Sequence, residues 1–312
     1  MSEQPTILYM GTPDFAARVL STLLQANFHI IAVLSQPDKQ VGRKKVMAPT
    51  PVKEVALAAG LPVLQPNKIG DAYQEIQDLH PDLILTCAYG QFVPERILQI
   101  PGLGSFNIHG SYLPRLRGGA PIHRAIWYGE KDSGISIIKM VKRMDAGEIL
   151  FQEKVGIDPE ETTGTLSEKL IQCACALIVE KLPLILSGDY TCIKQIETQV
   201  TFARNIQKRE EFIRFNTDYQ TLYNHIRALI PSPGGYGIIK DTRLKLLGIA
   251  QSNEGTDAKD GTLLGLFPQG LGVAVKNRIL YLTMVQPAGK TAMGAREFYA
   301  GHGKDLLGAR FL

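Results

Sequence analysis

Of the 312 residues only four are cysteines (Cys87, Cys173, Cys175 and Cys192), and no two are spaced C-x-x-C. The nearest pair, Cys173 and Cys175, falls in a helical pattern where side chains two apart diverge, so neither structural zinc nor a disulfide framework is expected. The six histidines lack H-x-x-x-H or H-x-x-E-H spacing, which argues against a metal on one helix, and no metal is expected. Nor does the start, MSEQPTILYMGTPDF, show a basic stretch ahead of an apolar core, and uninterrupted apolar runs fall far short of a membrane span. The chain is therefore expected to be neither secreted nor embedded, with the cytoplasm as its place. The first strand-to-helix turn offers one glycine, Gly11, where a dinucleotide fold wants G-x-G-x-x-G, and no Walker lysine follows. That disfavours nicotinamide and ATP enzymes, and no NAD is expected.

What is present describes an ordinary globular chain long enough for two domains. Apolar residues make up 45% and charged residues 21%. The net charge of +4 is unevenly spread. Residues 208–312 hold 14 Lys and Arg against 9 Asp and Glu, while residues 1–207 hold 20 against 21. This asymmetry is compatible with an acidic partner for the tail domain and equally with a solvated basic surface.

Apolar runs and breakers set out an alternating pattern. Ile7 to Met10 reads as a strand, followed by Thr12 as N-cap and Pro13 at the first position of a helix reaching Gln25. Strands follow at Ile30 to Ser35, near Val63 and at Asp82 to Cys87, with helices at Pro51 to Ala59 and Asp71 to Leu79. Alternating β and α means a parallel sheet covered by helices, a Rossmann-like α/β domain. A strand Ser105 to His109, a Gly- and Pro-rich stretch to Pro121 and a helix Ile122 to Tyr128 come next. A hairpin of Ile135 to Lys142 with Ile149 to Val155 closes the sheet. The long helical pattern Thr165 to Leu186 stops at Ser187-Gly188, which ends a first domain of 1–188. A linker of 189–207 leads into a domain of 208–312 whose brief, glycine-punctuated strands suggest a small OB-like β-barrel.

Ligands of open parallel sheets gather at the carboxyl ends of strands. There Asn107 and His109, two apart on one strand, share a face while Ile108 points away. A carboxamide and an imidazole aimed at one spot can donate to the oxyanion of a carbonyl substrate. Such a pair more often serves a turn or a satisfied buried site, and the pattern alone leaves both readings open.

The run NIHGSYLPRLRGGAP (107–121) closely resembles the signature N-[IV]-H-x-S-x-L-P-x-x-R-G-x-x-P of the folate-dependent formyltransferases. Similarity to members that formylate aminoacyl-tRNA extends through MGTPDFAA (10–17), QPD (36–38), PTPVK (49–53), AYG (88–90) and QPAGKTAM (286–293). The resemblance implies a catalytic set of Asn107, His109 and Asp145, with 10-formyltetrahydrofolate as formyl donor and initiator methionyl-tRNA as partner. Alone, Asp145 would read as a turn residue. It further implies folate contacts at Ser111, Tyr112, Leu113 and Pro114, with Ala88, Tyr89, Gly90 and Gln91 lining the same pocket. Tyr112 departs from the Leu common in the family. His123, where relatives often have Gln, is read as a polar packing residue outside the site.

The segment Gln36 to Thr50 is long for a loop between strand and helix, and Arg43, Lys44 and Lys45 make it basic. The resemblance implies that it enters the tRNA acceptor stem, Arg43 reading the helix end and the lysines taking phosphate, because the major groove of RNA is too deep and narrow for side chains. A basic second domain, with Lys240, Arg243, Lys245, Lys276, Arg278, Lys290 and Arg296, would hold phosphates. The chain is expected to be monomeric. A formyltransferase or formyl-folate hydrolase for a small molecule would share the same triad, and an RNA-binding protein without turnover is a reading from another class. The basic loop and tail gain nothing for a small substrate, which favours RNA.

Overall fold

The structure is a computed structural model that describes residues 4–41 and 46–312. Two units emerge. The first comprises Met1–Pro121, Ser133–Val155 and Ser167–Ala203, and the second Ile122–Asp132, Gly156–Leu166 and Arg204–Leu312.

Apolar runs without polar alternation make strands that are buried on both faces. Ile7–Gly11 and Leu83–Cys87 are buried at every position. They occupy the middle of a seven-stranded sheet ordered Val63–Leu64, Ile30–Leu34, Ile7–Gly11, Leu83–Cys87, Gly104–His109, Asp132–Lys139 and Ile149–Gly156. The first five run parallel, and Asp132–Lys139 pairs antiparallel with Gly104–His109. Helix Asp14–Gln25 buries Ala16, Val19, Leu20 and Leu23, the stripe a 3.6-residue period places on one side. By length and composition alone, helix Thr163–Ser187 could cross a membrane. Its buried Leu166, Leu170, Ala174, Leu177, Ile178, Leu182 and Ile185 recur every three or four residues, and Glu168 on the exposed side pairs with Arg18. It is thus a packed amphipathic helix.

Several expectations are revised. Pro13, not Thr12, is the N-cap of Asp14–Gln25. The Thr12 hydroxyl instead donates to the Tyr89 carbonyl (2.8 Å) and accepts from the Gln36 amide (3.3 Å), tying two strand ends together. Gln36 to Thr50 is not all loop, since Lys39–Val41 pairs antiparallel with Val46–Ala48. Arg43, Lys44 and Lys45 lie outside the described residues.

Of the expected linker 189–207, residues up to Ala203 group with the first unit and the rest with the second. Ile193 bridges to Ile149, and Arg117 to Phe202. Helix Pro121–Trp127 groups, apart from Pro121, with the second unit because buried Arg124 donates to the Arg204 carbonyl (3.0 Å) and to Glu210 (2.8 Å), while Trp127 stacks on His225.

In the second unit a sheet runs Tyr236–Ile239, Thr242–Ala250, Arg278–Pro287, Gly270–Val275 and Leu263–Phe267, each pair antiparallel. Residues 308–312 bridge its two edges. The Leu312 amide donates to Ile238 O and the Gly308 amide to Leu263 O, both at 2.9 Å. The barrel-like enclosure holds Phe215, Leu222, Ile226, Leu244, Leu271 and Phe298.

Two half-buried imidazoles stand in this unit. His123 Nε2 donates to Ser232 O (3.2 Å) and His225 Nε2 to Glu210 O (2.7 Å), and burial lowers the pKa of both from 6.5. The folded unit therefore binds fewer protons than the unfolded chain below that pH, so its stability is intact above 6.5 and declines as pH falls through the lowered values. Urea unfolding between neutral pH and the onset of carboxylate titration should show this decline, and a His123→Gln/His225→Gln variant should flatten it.

Candidate active site

The parallel register sets Thr86 beside Asn107 and Cys87 beside Ile108. The Thr86 hydroxyl donates to Asn107 Oδ1 at 2.7 Å, which fixes the amide with Nδ2 as the outward donor. Nδ2 stands 3.4 Å from Asp145 Oδ1. Two residues on, His109 is 5% exposed and its Nε2 donates to the Leu116 carbonyl at 3.0 Å. A carbonyl only accepts, so Nε2 carries hydrogen and Nδ1 is left facing Asp145 Oδ2, 3.7 Å away. Asn107, His109 and Asp145 thus converge.

The separation of 3.7 Å exceeds hydrogen-bond reach. The direct hold on the His109 ring is therefore the Leu116 carbonyl and not Asp145. Leu116 has φ 62°, a left-handed conformation costly for a branched side chain, and this turn aims its carbonyl back at the imidazole. The Asp145 carboxylate accepts the Gly118 amide at 2.9 Å. Gly118 has φ 119°, and a Cβ there would lie 2.8 Å from Ala203 O, so only glycine brings that amide so close. At Gly147 a Cβ would lie 1.7 Å from Lys139 O, which accounts for the glycine that follows Asp145-Ala146.

Around this cluster Arg117 is 1% exposed and donates through Nε to Gln195 Oε1 (2.9 Å) and through a terminal nitrogen to Glu197 (3.0 Å). Gln195 Nε2 donates to both Asp145 O and Gly147 O at 2.8 Å. Glu197 also pairs with Arg143, and these guanidinium partners, Arg143 first, hold its carboxyl below the usual range. Thr86, Leu116, Gly118 and Gln195 were not marked by sequence reasoning. Only Gly118, inside the R-G signature, carried a local signal.

The remaining expected residues divide. Ser111 and Leu113 are buried and serve the loop itself: Ser111 Oγ donates to Arg115 O (2.7 Å), and the Leu113 amide donates to Ser136 Oγ (3.1 Å). Tyr112 is half-buried with Lys154 over its ring at 5.1 Å, on the side of the sheet's outer strands. Pro114 is half-buried. Ala88 and Gly90 are exposed just past the strand end beside His109, both with positive φ. Between them Tyr89 is buried, its phenol pushed up to about 12 by desolvation. Gln91 is spent on the neighbouring loop, accepting from the Ile69 amide at 2.8 Å. Among the described residues no group of His, Cys, Asp or Glu could hold a metal ion.

In the second unit, Lys240, Lys245 and Arg278 donate to carbonyls of the unit itself, and Lys276 pairs with Asp260. Arg243 stacks over Tyr236 at 3.6 Å, and Lys290 and Arg296 are exposed. Arg243 and Lys290 line a cleft of 480 Å³ with Asp241, Phe298 and His302.

Comparison with known proteins places this geometry in context. The formyl transferase profile matches residues 5–182, and the profile of the formyl transferase C-terminal domain matches residues 205–303. Methionyl-tRNA formyltransferase of Mesoplasma florum is 41% identical over 305 residues, covering 97% of each chain. That of Bacillus cytotoxicus is 43% identical over 298 residues, covering 95% of each. Among solved structures, HypX from Aquifex aeolicus in complex with tetrahydrofolic acid superposes with TM-score 0.68 at 14% identity, over 95% of this chain and 47% of that one. The N-formyltransferase from Helicobacter canadensis, in complex with folinic acid and dTDP-3-aminofucose, gives TM-score 0.67 at 18% identity, over 92% and 100%. At these identities the two structures speak for the fold.

Proposed function

The chain belongs to the formyl transferase family, and we propose that it transfers the formyl group of 10-formyltetrahydrofolate to the α-amino group of initiator methionyl-tRNA. One observation carries the reading: identity above 40% to methionyl-tRNA formyltransferases runs through both units, over nearly the full length of each chain. The convergence of Asn107, His109 and Asp145 supplies the matching chemistry. A small-molecule formyltransferase would use the same cluster, and what favours RNA is the identity above 40% to methionyl-tRNA formyltransferases over nearly the whole chain.

The proposed reaction needs no covalent enzyme intermediate. An α-amino group titrates near pH 8, so a modest acceptor suffices to free its lone pair at neutral pH. The amine nitrogen attacks the formyl carbon, and the carbonyl oxygen becomes an oxyanion. Asn107 Nδ2, held outward by Thr86, donates to it, as does His109 when protonated on Nδ1. Asp145 faces that imidazolium and passes the ammonium proton through water toward the folate N10. Collapse breaks the bond between formyl carbon and N10, which takes the proton, and releases tetrahydrofolate with the formylated amine.

The folate is assigned to the pocket flanked by 88–91 and 111–114, with Ala88, Gly90, Tyr112 and Pro114 presenting surface. Tyr89, Gln91, Ser111 and Leu113 shape its walls. Phosphate contacts are assigned to Arg243, Lys290 and Arg296, which are exposed, and on sequence alone to Arg43, Lys44 and Lys45. The cytoplasm and a monomeric state belong to the same proposal.

Incubation with 10-formyltetrahydrofolate and aminoacylated initiator tRNA should yield formylmethionine by mass spectrometry. Free methionine and elongator methionyl-tRNA should yield little, and folate consumption without formylated tRNA would move the function to a small amine or to hydrolysis. Asp145→Asn, folded as the parent by circular dichroism, should lose about 100-fold or more in kcat; turnover near the parent's would remove its proton role. The affinity for tRNA should fall steeply with salt, and Arg243→Ala/Lys290→Ala/Arg296→Ala should lessen the slope by about three phosphate contacts. A flat salt response would count against the phosphate assignment.

A further inference from the structure

Gln195 is fully occupied in an unusual way. Its two amide hydrogens go to the carbonyls of Asp145 and Gly147, both at 2.8 Å, and its oxygen accepts from Arg117 Nε at 2.9 Å. Arg117 is itself fixed, being 1% exposed, with its amide on Thr201 O (2.9 Å) and its carbonyl accepting the Ala203 amide (2.7 Å). The next residue, Gly118, gives its amide to the Asp145 carboxylate. One dipeptide, Arg117-Gly118, therefore holds Asp145 twice, by its side chain directly and by its backbone through Gln195. Asp145 has φ 50°, a backbone conformation that residues with side chains rarely adopt, and the hydrogen bonds from Gln195 to the carbonyls of Asp145 and Gly147 anchor the turn from which its carboxylate projects.

We infer that Gln195 is a positioning residue for Asp145, with Arg117 behind it. The inference rests on the reading that Asp145 acts in the formyl transfer. Gln195 does not face the reacting atoms; its effect passes through the turn Arg143–Gly147. That turn keeps other supports, namely the Ala146 amide on Arg143 O (3.2 Å) and the close seat of Gly147 against Lys139. Loss of Gln195 should thus leave the fold in place while freeing the carboxylate to wander, and a misplacement of about 1 Å can cost about 100-fold in rate.

The test compares the full-length protein with Gln195→Met, Gln195→Glu, Asp145→Asn and the double variant Gln195→Met/Asp145→Asn. Steady-state kinetics use 10-formyltetrahydrofolate and initiator methionyl-tRNA. Gln195→Met, an apolar chain of similar length, should lower kcat by about 10- to 100-fold, with KM for both substrates within about twofold of the parent. Gln195→Glu retains the acceptor for Arg117 but cannot donate to the two carbonyls, so it should fall as far, and it carries the reading alone if Gln195→Met does not fold. On the Asp145→Asn background, Gln195→Met should add no further loss, because both act through one carboxylate. Parent-level kcat in the Gln195 variants, a defect confined to KM, or a loss that multiplies with that of Asp145→Asn overturns the inference. The two readings separate cleanly: an impaired Asp145→Asn beside an unimpaired Gln195→Met sinks the positioning role alone, whereas a fully active Asp145→Asn sinks the catalytic reading and this one with it.

Discussion

The pairing of Leu83–Cys87 with Gly104–His109 is the constraint on which the candidate site depends. Two parallel strands in register bring a hydroxyl and an amide side by side, and the Thr86–Asn107 hydrogen bond removes the amide's freedom to flip. The pleat then delivers His109 to the same face two residues later and sends Ile108 into the core. Both strands lie in the buried middle of the sheet with side chains packed on both faces, so a slip of one residue would set every side chain against the wrong neighbours in a close-packed interior. Loops built on such a base inherit its precision. The polar cluster stands at the carboxyl ends of the parallel strands, where a backbone direction common to several strands leaves room for a ligand.

Much of this was legible because it is local. Apolar runs and the Gly- and Pro-rich stretch that follows placed a strand at Ser105 to His109, within a residue of the observed Gly104–His109, and the N-x-H spacing needed no tertiary knowledge. The groups that complete the site are of another kind. The Leu116 carbonyl and the Gly118 amide are backbone atoms that any residue carries, so their use depends on φ angles that only the folded turn reveals. Gln195 lies 50 residues beyond Asp145 in a stretch with the composition of a linker, and nothing in that composition announces a double donor. Thr12 misled for a related reason: a threonine before a proline has the form of an N-cap, yet its hydroxyl found better partners across the strand ends.

Long-range polar contacts also decided which unit claimed the helix Pro121–Trp127. Its pattern offered only continuity with the preceding loop. Arg124, 5% exposed, is compensated by Glu210 and by carbonyls of 204–205, partners some 80 residues away. Arg227 is likewise buried, with Asn224 and the Glu161 carbonyl around its guanidinium, and burial lowers its pKa. Buried cations of this sort add little net stability because desolvation offsets their attraction, but removing one partner leaves a costly orphan. They act as registration pins between segments that are distant in sequence.

The strap of residues 193–203 bears on how the protein is made. A ribosome emits the chain from the amino end, and early segments begin to fold as they appear. The strand carrying Asn107 and His109 emerges first, and the loop 110–118 follows with its left-handed turns. Thr201, whose hydroxyl and carbonyl accept the amides of Leu116 and Arg117, arrives 84 residues after Arg117. Until then that loop lacks its backbone anchor and the Asp145 turn lacks Gln195. The hydrogen bonds that hold the candidate site are therefore completed late in the nascent first unit, by residues 195–203 rather than by completion of the sheet.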